Sequence, residues 1–159
     1  MGKFRAAFES ELPLDRRSEW HYGPPASVDQ ITAAEADLNL PIPAPLRELY
    51  QEFDGLRREG NGDQLSSFLL LPLSRLSKAR DILVKCHAGV HNLEEISRCV
   101  AFAMPAGITT FWFMTDLAAW GISKNRVGTW DQDGGEVGES EPLEEFLVHI
   151  GWEWMEHSP

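Results

Sequence analysis

The sequence predicts a single α+β domain, and three observations predict it. The chain has 159 residues, a length at which one domain buries a substantial core without disulfide staples. Apolar residues make up 43% and charged residues 25%, an ordinary globular composition that argues against disorder. Helical spacings come first along the chain, followed by strand-like alternation with helical segments between and after the strands. That order differs from the regular alternation of a βαβ fold. No internal repeat or low-complexity segment interrupts it.

Residues 1–19 read as a polar N-terminal extension, a short helix followed by a loop, with the domain proper at 20–159. Trp20-His21-Tyr22-Gly23-Pro24-Pro25 reads as a turn-rich lead-in. Ser27 offers an N-cap and Gln30 completes a capping box, opening a helix with Val28, Ile31, Ala34 and Leu38 on its apolar face. Pro41 ends it, and Pro45 suits the first turn of the next helix. There Leu46, Leu49, Tyr50 and Phe53 recur at i, i+3, i+4 and i+7, the clearest stripe in the chain, until Asp54-Gly55 stops it. Residues 56–64, charged and Gly-containing, read as an exposed loop.

Residues 67–71 form an apolar run closed by Pro72 and read as a buried strand. Ser74 is placed to cap a helix carrying Leu76, Ala79, Leu83 and Cys86. Residues 98–103 and 109–115 read as strands joined by a turn at Pro105-Ala106-Gly107. In the second, Phe111 and Phe113 face one side and Trp112 and Met114 the other. Residues 126–131 are a further strand, Asp133-Gly134 a hairpin-turn dipeptide, and Glu136-Val137 the start of a return strand. Pro142 opens a last helix with Leu143, Phe146, Leu147 and Ile150, and Gly151 interrupts its end.

The net charge is −11, from 14 Lys+Arg against 25 Asp+Glu. Residues 127–159 hold nine of those acids and no Lys or Arg. Phosphate-backbone binding needs clustered cations, so nucleic acid is excluded as a partner class. A basic protein partner, or plain solubility, fits the excess. Glu141, Glu144 and Glu145 fall in or before a first helical turn, where they complement the dipole. Asp131, Asp133, Glu136 and Glu139 surround a hairpin instead, and are the candidates for steering a basic partner. Trp152 is a candidate interface anchor beside them, with core packing of the last helix as its alternative.

Two cysteines, Cys86 and Cys99, lie in apolar stretches and read as buried free thiols of a reducing, cytoplasmic compartment. Glu9 and Glu11 interrupt any secretory apolar region, and no apolar run is long enough to span a membrane. Catalytic apparatus is not apparent. His87 and His91 stand four apart, but Gly89 separates them and no metalloprotease glutamate follows His87. The stretch from Asp131 to Glu136 echoes a calcium loop, yet the required glutamate is replaced by Pro142. No nucleophile elbow or phosphate-cradling loop is present, so neither metal nor cofactor is expected. Glu35, on or beside an apolar helix face, is either a perturbed acid or a structural carboxylate paired with a backbone amide or an arginine. The structural role, with Arg47 as partner, is favoured. Trp20, Trp112 and Trp130 read as core.

This succession resembles the SUKH superfamily, named for a fungal cell-wall-assembly and killer-toxin-resistance regulator and its bacterial relatives. The first matching segment is Trp20, Gly23 and Ala26-Ser27, leading to Ile31, Glu35 and Leu38. The second is Leu40-Pro41-Ile42-Pro43 followed by Leu46-Arg47, Leu49-Tyr50 and Phe53-Asp54-Gly55. Phe68-Leu69-Leu70-Leu71-Pro72-Leu73 is the third. The fourth combines Val100-Ala101-Phe102-Ala103, Phe111-Trp112-Phe113, Val127, Trp130-Asp131, Asp133-Gly134 and Leu143-Glu144-Glu145-Phe146-Leu147. Their order carries the resemblance, while the charged stretch after Gly55 and residues 85–97 depart from it. The resemblance implies helices packed on a mostly antiparallel sheet, with no catalytic motif. It implies a protein-binding role: a bacterial immunity protein neutralising a cognate toxin, or a regulatory or scaffold protein connected with cell-wall synthesis. Toxin identity, oligomeric state and binding face are left open.

Overall fold

The protein is represented by a computed structural model that describes residues 2–59, 68–86, 94, 97–103, 110–115, 125–131 and 140–157, with the backbone alone at 83, 86, 110–115, 129–131 and 152–157. Among the described residues, six strands form one sheet: β1 (Trp20–Tyr22), β2 (Leu56–Arg58), β3 (Phe68–Leu70), β4 (Val100–Ala103), β5 (Thr110–Thr115) and β6 (Arg126–Asp131). Their spatial order follows the chain and every neighbouring pair is antiparallel. The helices are α1 (Lys3–Glu9), α2 (Val28–Leu38), α3 (Ala44–Glu52), α4 (Leu76–Cys86) and α5 (Leu143–His157). The α+β layout is therefore that expected from the order of periodicities. No helix among the described residues is long and apolar enough to cross a membrane.

Local chemistry sets α2 and α3. The Gln30 amide donates to Ser27 Oγ (3.2 Å) and the Ser27 amide donates to Gln30 Oε1 (2.8 Å), the reciprocal capping box. Asn39 ends α2 in the left-handed region at φ 52°, a conformation Asn tolerates. Ile31, Ala34 and Leu38 are buried as the spacing predicts, but Val28 is 56% exposed because it sits at the helix start, beyond the contact face. Leu46, Leu49, Tyr50 and Phe53 are all buried. The Tyr50 hydroxyl donates to the Leu71 carbonyl at 2.9 Å, which satisfies it inside the core, and burial holds its pKa well above the ordinary phenol range.

Glu35 has the structural role. Its Oε1 accepts from the Ile42 amide (2.9 Å) and from Arg47 Nη1 (2.7 Å), tying the α2–α3 connection to both helices. Glu35→Gln should lower stability by about 1–2 kcal/mol, since a charge-assisted bond becomes a neutral one and one amide proton faces a donor. Urea unfolding checks this, and an unchanged midpoint would remove the clamp from the account.

Several expectations change. Residues 20–22 are a strand, not turns, and residues 56–58 are its partner, not loop: Trp20 stands opposite Arg58, His21 opposite Arg57 and Tyr22 opposite Leu56. Arg57 and Arg58 are half-buried while Leu56 is buried, and Arg58 pairs with Glu19 (2.8 Å), so a charged stretch still supplies a strand. Residues 60–67 lie outside the described ones. Ser74 lies inside a 3-10 turn, Leu73–Arg75, that leads into α4. The strands expected at 98–103, 109–115 and 126–131 are β4, β5 and β6, and the Pro105-Ala106-Gly107 turn lies outside the described residues.

The helix expected to break at Gly151 runs through it to His157. A Cβ on Gly151 would lie 2.7 Å from the Phe8 carbonyl, so the glycine permits close approach of α1 to α5. Phe4, Phe8 and Leu12 consequently belong to the same hydrophobic cluster as Leu147 and Ile150, although they precede the domain as read from sequence. Trp20 and Cys99 are buried as expected.

Candidate functional site

The acidic stretch after residue 126 is anchored on either side of residues 132–139. β6 ends at Asp131, opposite Thr110 of β5, and is the last strand of the sheet among the described residues. The chain is back beside β6 at Glu141: the Val127 amide donates to the Glu141 carbonyl (2.8 Å) and the Glu141 amide donates to the Val127 carbonyl (3.1 Å). Arg126 donates from Nε to Ser140 Oγ (3.2 Å) and from Nη2 to the Ser140 carbonyl (2.6 Å). His149 on α5 pairs with the Glu141 carboxylate. The described chain on either side of residues 132–139 is thus held at β6.

Of the five residues singled out for partner binding, Asp131 is placed by its backbone at the end of β6 and Trp152 by its backbone within α5. Asp133, Glu136 and Glu139 lie outside the described residues, as do the Asp133-Gly134 turn, the Glu136-Val137 return strand, His87 and His91. Glu144 and Glu145 occupy the first turn of α5. Glu144 lies 3.2 Å from Lys3 Nζ, which also meets Glu48 at 2.8 Å, so a cation from α1 offsets part of the local negative charge.

A second feature was not anticipated. An open cleft of about 480 Å³ lies where β1 leaves the sheet, lined by His21, Gly23, Asp54, Arg57, Phe68 and Arg75 among others. Two backbone bonds close its floor: the Gly23 amide donates to the Gly55 carbonyl (3.0 Å), and the Asp54 amide donates to the Pro24 carbonyl (3.1 Å). Gly55 adopts φ 90°, a conformation that L side chains rarely adopt. The Leu73 amide donates to Asp54 Oδ1 at 2.7 Å, joining the turn to the start of α4's approach. Half-burial pushes the Asp54 carboxyl above the usual carboxylate range, and the Leu73 amide opposes that shift. The Arg57 guanidinium lies 6.0 Å from the centre of the Phe68 ring. Gly23 and Asp54-Gly55 were visible in the sequence as turn residues and as part of the family resemblance, and Arg57 only as part of a charged stretch. Paired Gly-containing turns flanked by Pro24 and Pro72 were the signal available.

Among the described residues, no group of three or more His, Cys, Asp and Glu side chains is arranged to hold a metal ion. The described features are the anchoring of the chain beside β6 at Ser140 and Glu141 and the open cleft beside β1. A meandering antiparallel sheet with helices and charged surfaces of this kind defines a small α+β binding domain. The chain belongs to the SMI1 / KNR4 family (SUKH-1), whose sequence profile matches residues 25–149. That membership carries a protein-binding role, in immunity or regulation, at the level of the family, which is generally non-catalytic. No curated protein matches the chain.

Proposed function

We propose that the chain is a non-enzymatic immunity protein that acts in the cytoplasm by binding and neutralising a cognate toxin with a basic surface. The observation that carries this reading is the placement of charge. All nine acids after residue 126 lie in a stretch without Lys or Arg, and the loop among them is held at Arg126, Val127, Ser140 and Glu141. Charges on a fixed base present a stable potential, which speeds encounter with an oppositely charged partner more than it adds contact energy. In this reading Asp131, Asp133, Glu136 and Glu139 steer the toxin and Trp152 anchors it.

The partner for the test is a toxin encoded next to this chain that co-purifies with it. Asp131→Lys, Asp133→Lys and Glu136→Lys together should slow association about tenfold or more at low salt and flatten its salt dependence, with less effect on dissociation. Stopped-flow mixing measures both rates, and unchanged kinetics would take this surface out of the proposal. The immunity role itself is tested in cells poisoned by that toxin. Failure of rescue, together with stable capture of endogenous cell-wall enzymes, would instead favour a regulatory or scaffold role.

A further inference from the structure

We infer that the cleft between β1 and the Asp54-Gly55 turn is a subsite for a lysine side chain on a basic partner protein, with the Asp54 carboxylate as its acceptor. The inference rests on the basic-partner reading and adds a second point of contact, at the opposite end of the strand order from β6. Asp54 is the one carboxyl among the residues lining the cleft. Its Oδ1 accepts from the Leu73 amide (2.7 Å), the one bond its carboxylate makes among the described residues. The other oxygen is open to solvent, because no buried side-chain oxygen among the described residues lacks a partner. The neighbouring cations do not pair with it: Arg57 and Arg75 are engaged with other groups, and His21 faces Glu59 at 3.8 Å. Desolvation without a counter-ion is also what holds the Asp54 carboxyl above the usual carboxylate range.

The surroundings select the kind of cation. With Oδ1 held by a backbone amide, one oxygen is left for the incoming group, which suits a compact ammonium better than a guanidinium fork that takes two. Pro24, Phe68 and Pro72 give apolar walls for the four-carbon stem, and a cleft of about 480 Å³ is large enough to admit it. A single carboxylate supplies too few ligands for calcium or magnesium. A second copy of this chain is a poor occupant, because two molecules of charge −11 repel on approach, whereas the same charge draws a basic protein. Only the ionised carboxylate attracts an ammonium, so binding is present above the titration of Asp54 and fades as pH falls through it.

The probe is an end-capped hexapeptide alternating Lys and Gly, titrated into the isotope-labelled full chain at physiological salt and followed by amide NMR. Saturable shifts centred on Gly23, Asp54, Gly55 and Leu73 are expected, with none there from the same peptide acetylated on its lysine nitrogens. Asp54→Asn keeps an acceptor for the Leu73 amide and removes the charge, and should weaken binding at the cleft about tenfold. Thermal melting reports whether that variant folds. If it does not, the parent decides alone: its affinity at the cleft should fall about tenfold per pH unit below the titration of Asp54, read from the carboxyl carbon shift. Asp131→Lys, Asp133→Lys and Glu136→Lys together should leave the cleft shifts in place, so failure of the acidic loop and failure of the cleft are separable. Shifts confined to other parts of the chain, or equal shifts with the acetylated peptide, would overturn the inference. So would a folded Asp54→Asn variant that binds as well as the parent, tighter binding of the matching Arg peptide, or self-association by sedimentation moving the same signals.

Discussion

Phe8→Ala is expected to lower stability by about 3–5 kcal/mol, although Phe8 lies upstream of the residues that match the family. Its ring is fully buried, edge-on to Trp20 with centroids 5.0 Å apart and to Tyr22 at 6.4 Å. Truncation removes those contacts and leaves a cavity beneath the first strand. The loss also spreads, because a helix of seven residues does not stand alone in water. α1 has no capping side chain of its own: Gly2 precedes it, and the Glu52 carboxylate accepts from the Phe4 (3.1 Å) and Arg5 (2.8 Å) amides instead. At its other end Glu9, 4% exposed, accepts from the Tyr22 hydroxyl (2.9 Å) and Arg5 Nε (2.8 Å). Once α1 lifts, these bonds go with it. A fall in melting temperature of about 10 °C or more should follow. Leu14→Ala, at a side chain 79% exposed, is the control and should stay within about 0.5 kcal/mol of the parent. If Phe8→Ala behaved like that control, α1 would be an appendage and not part of the core.

This helix shows why parts of the fold were not legible in the sequence. Phe4, Phe8 and Leu12 do recur at four-residue spacing, but charges surround them and the cap that starts the helix is Glu52, on another helix. Gly151 reads as an interruption because a glycine within a helix costs about 1 kcal/mol relative to alanine, and the reason to keep it lies across the interface on Phe8. β1 and β2 have three residues each, too few to display a period of two. By contrast, the α2 cap involves residues three apart, and the α3 stripe repeats over two turns. Those interactions are local, so their spacing announces them.

The same distinction divides the two surfaces. An excess of acids after residue 126 can be counted along the chain, so the acidic loop was a candidate before any coordinates. The cleft joins His21, Asp54, Phe68 and Arg75, which only the antiparallel return of β2 and β3 brings together. Glu35 lies between these cases: its position on an apolar face flagged an enclosed carboxylate, and Arg47 was close enough in sequence to be named as partner. The kind of role, binding rather than catalysis, rested on the family resemblance and not on any side-chain constellation.

Gly23→Ala is expected to lower stability by about 3 kcal/mol or more and to deform the cleft in the same step. The reason is contact, not backbone freedom, since Gly55 is the glycine with positive φ among the described residues. A Cβ on Gly23 would sit 2.0 Å from the Asp54 carbonyl oxygen and 2.8 Å from its carbon. Those are main-chain atoms, so no rotamer change can relieve the overlap. The strand and the turn must separate, which strains the bonds from the Gly23 amide to the Gly55 carbonyl and from the Asp54 amide to the Pro24 carbonyl. Asp54 is also bound by the Leu73 amide, so displacement of the turn pulls on the 3-10 turn that carries Arg75. Urea unfolding should give the stability loss, and amide NMR at a temperature where the variant remains folded should show shifts along the Gly23 and Asp54-Gly55 segments. A variant that melts within a degree or two of the parent would mean the two segments are not in this close contact.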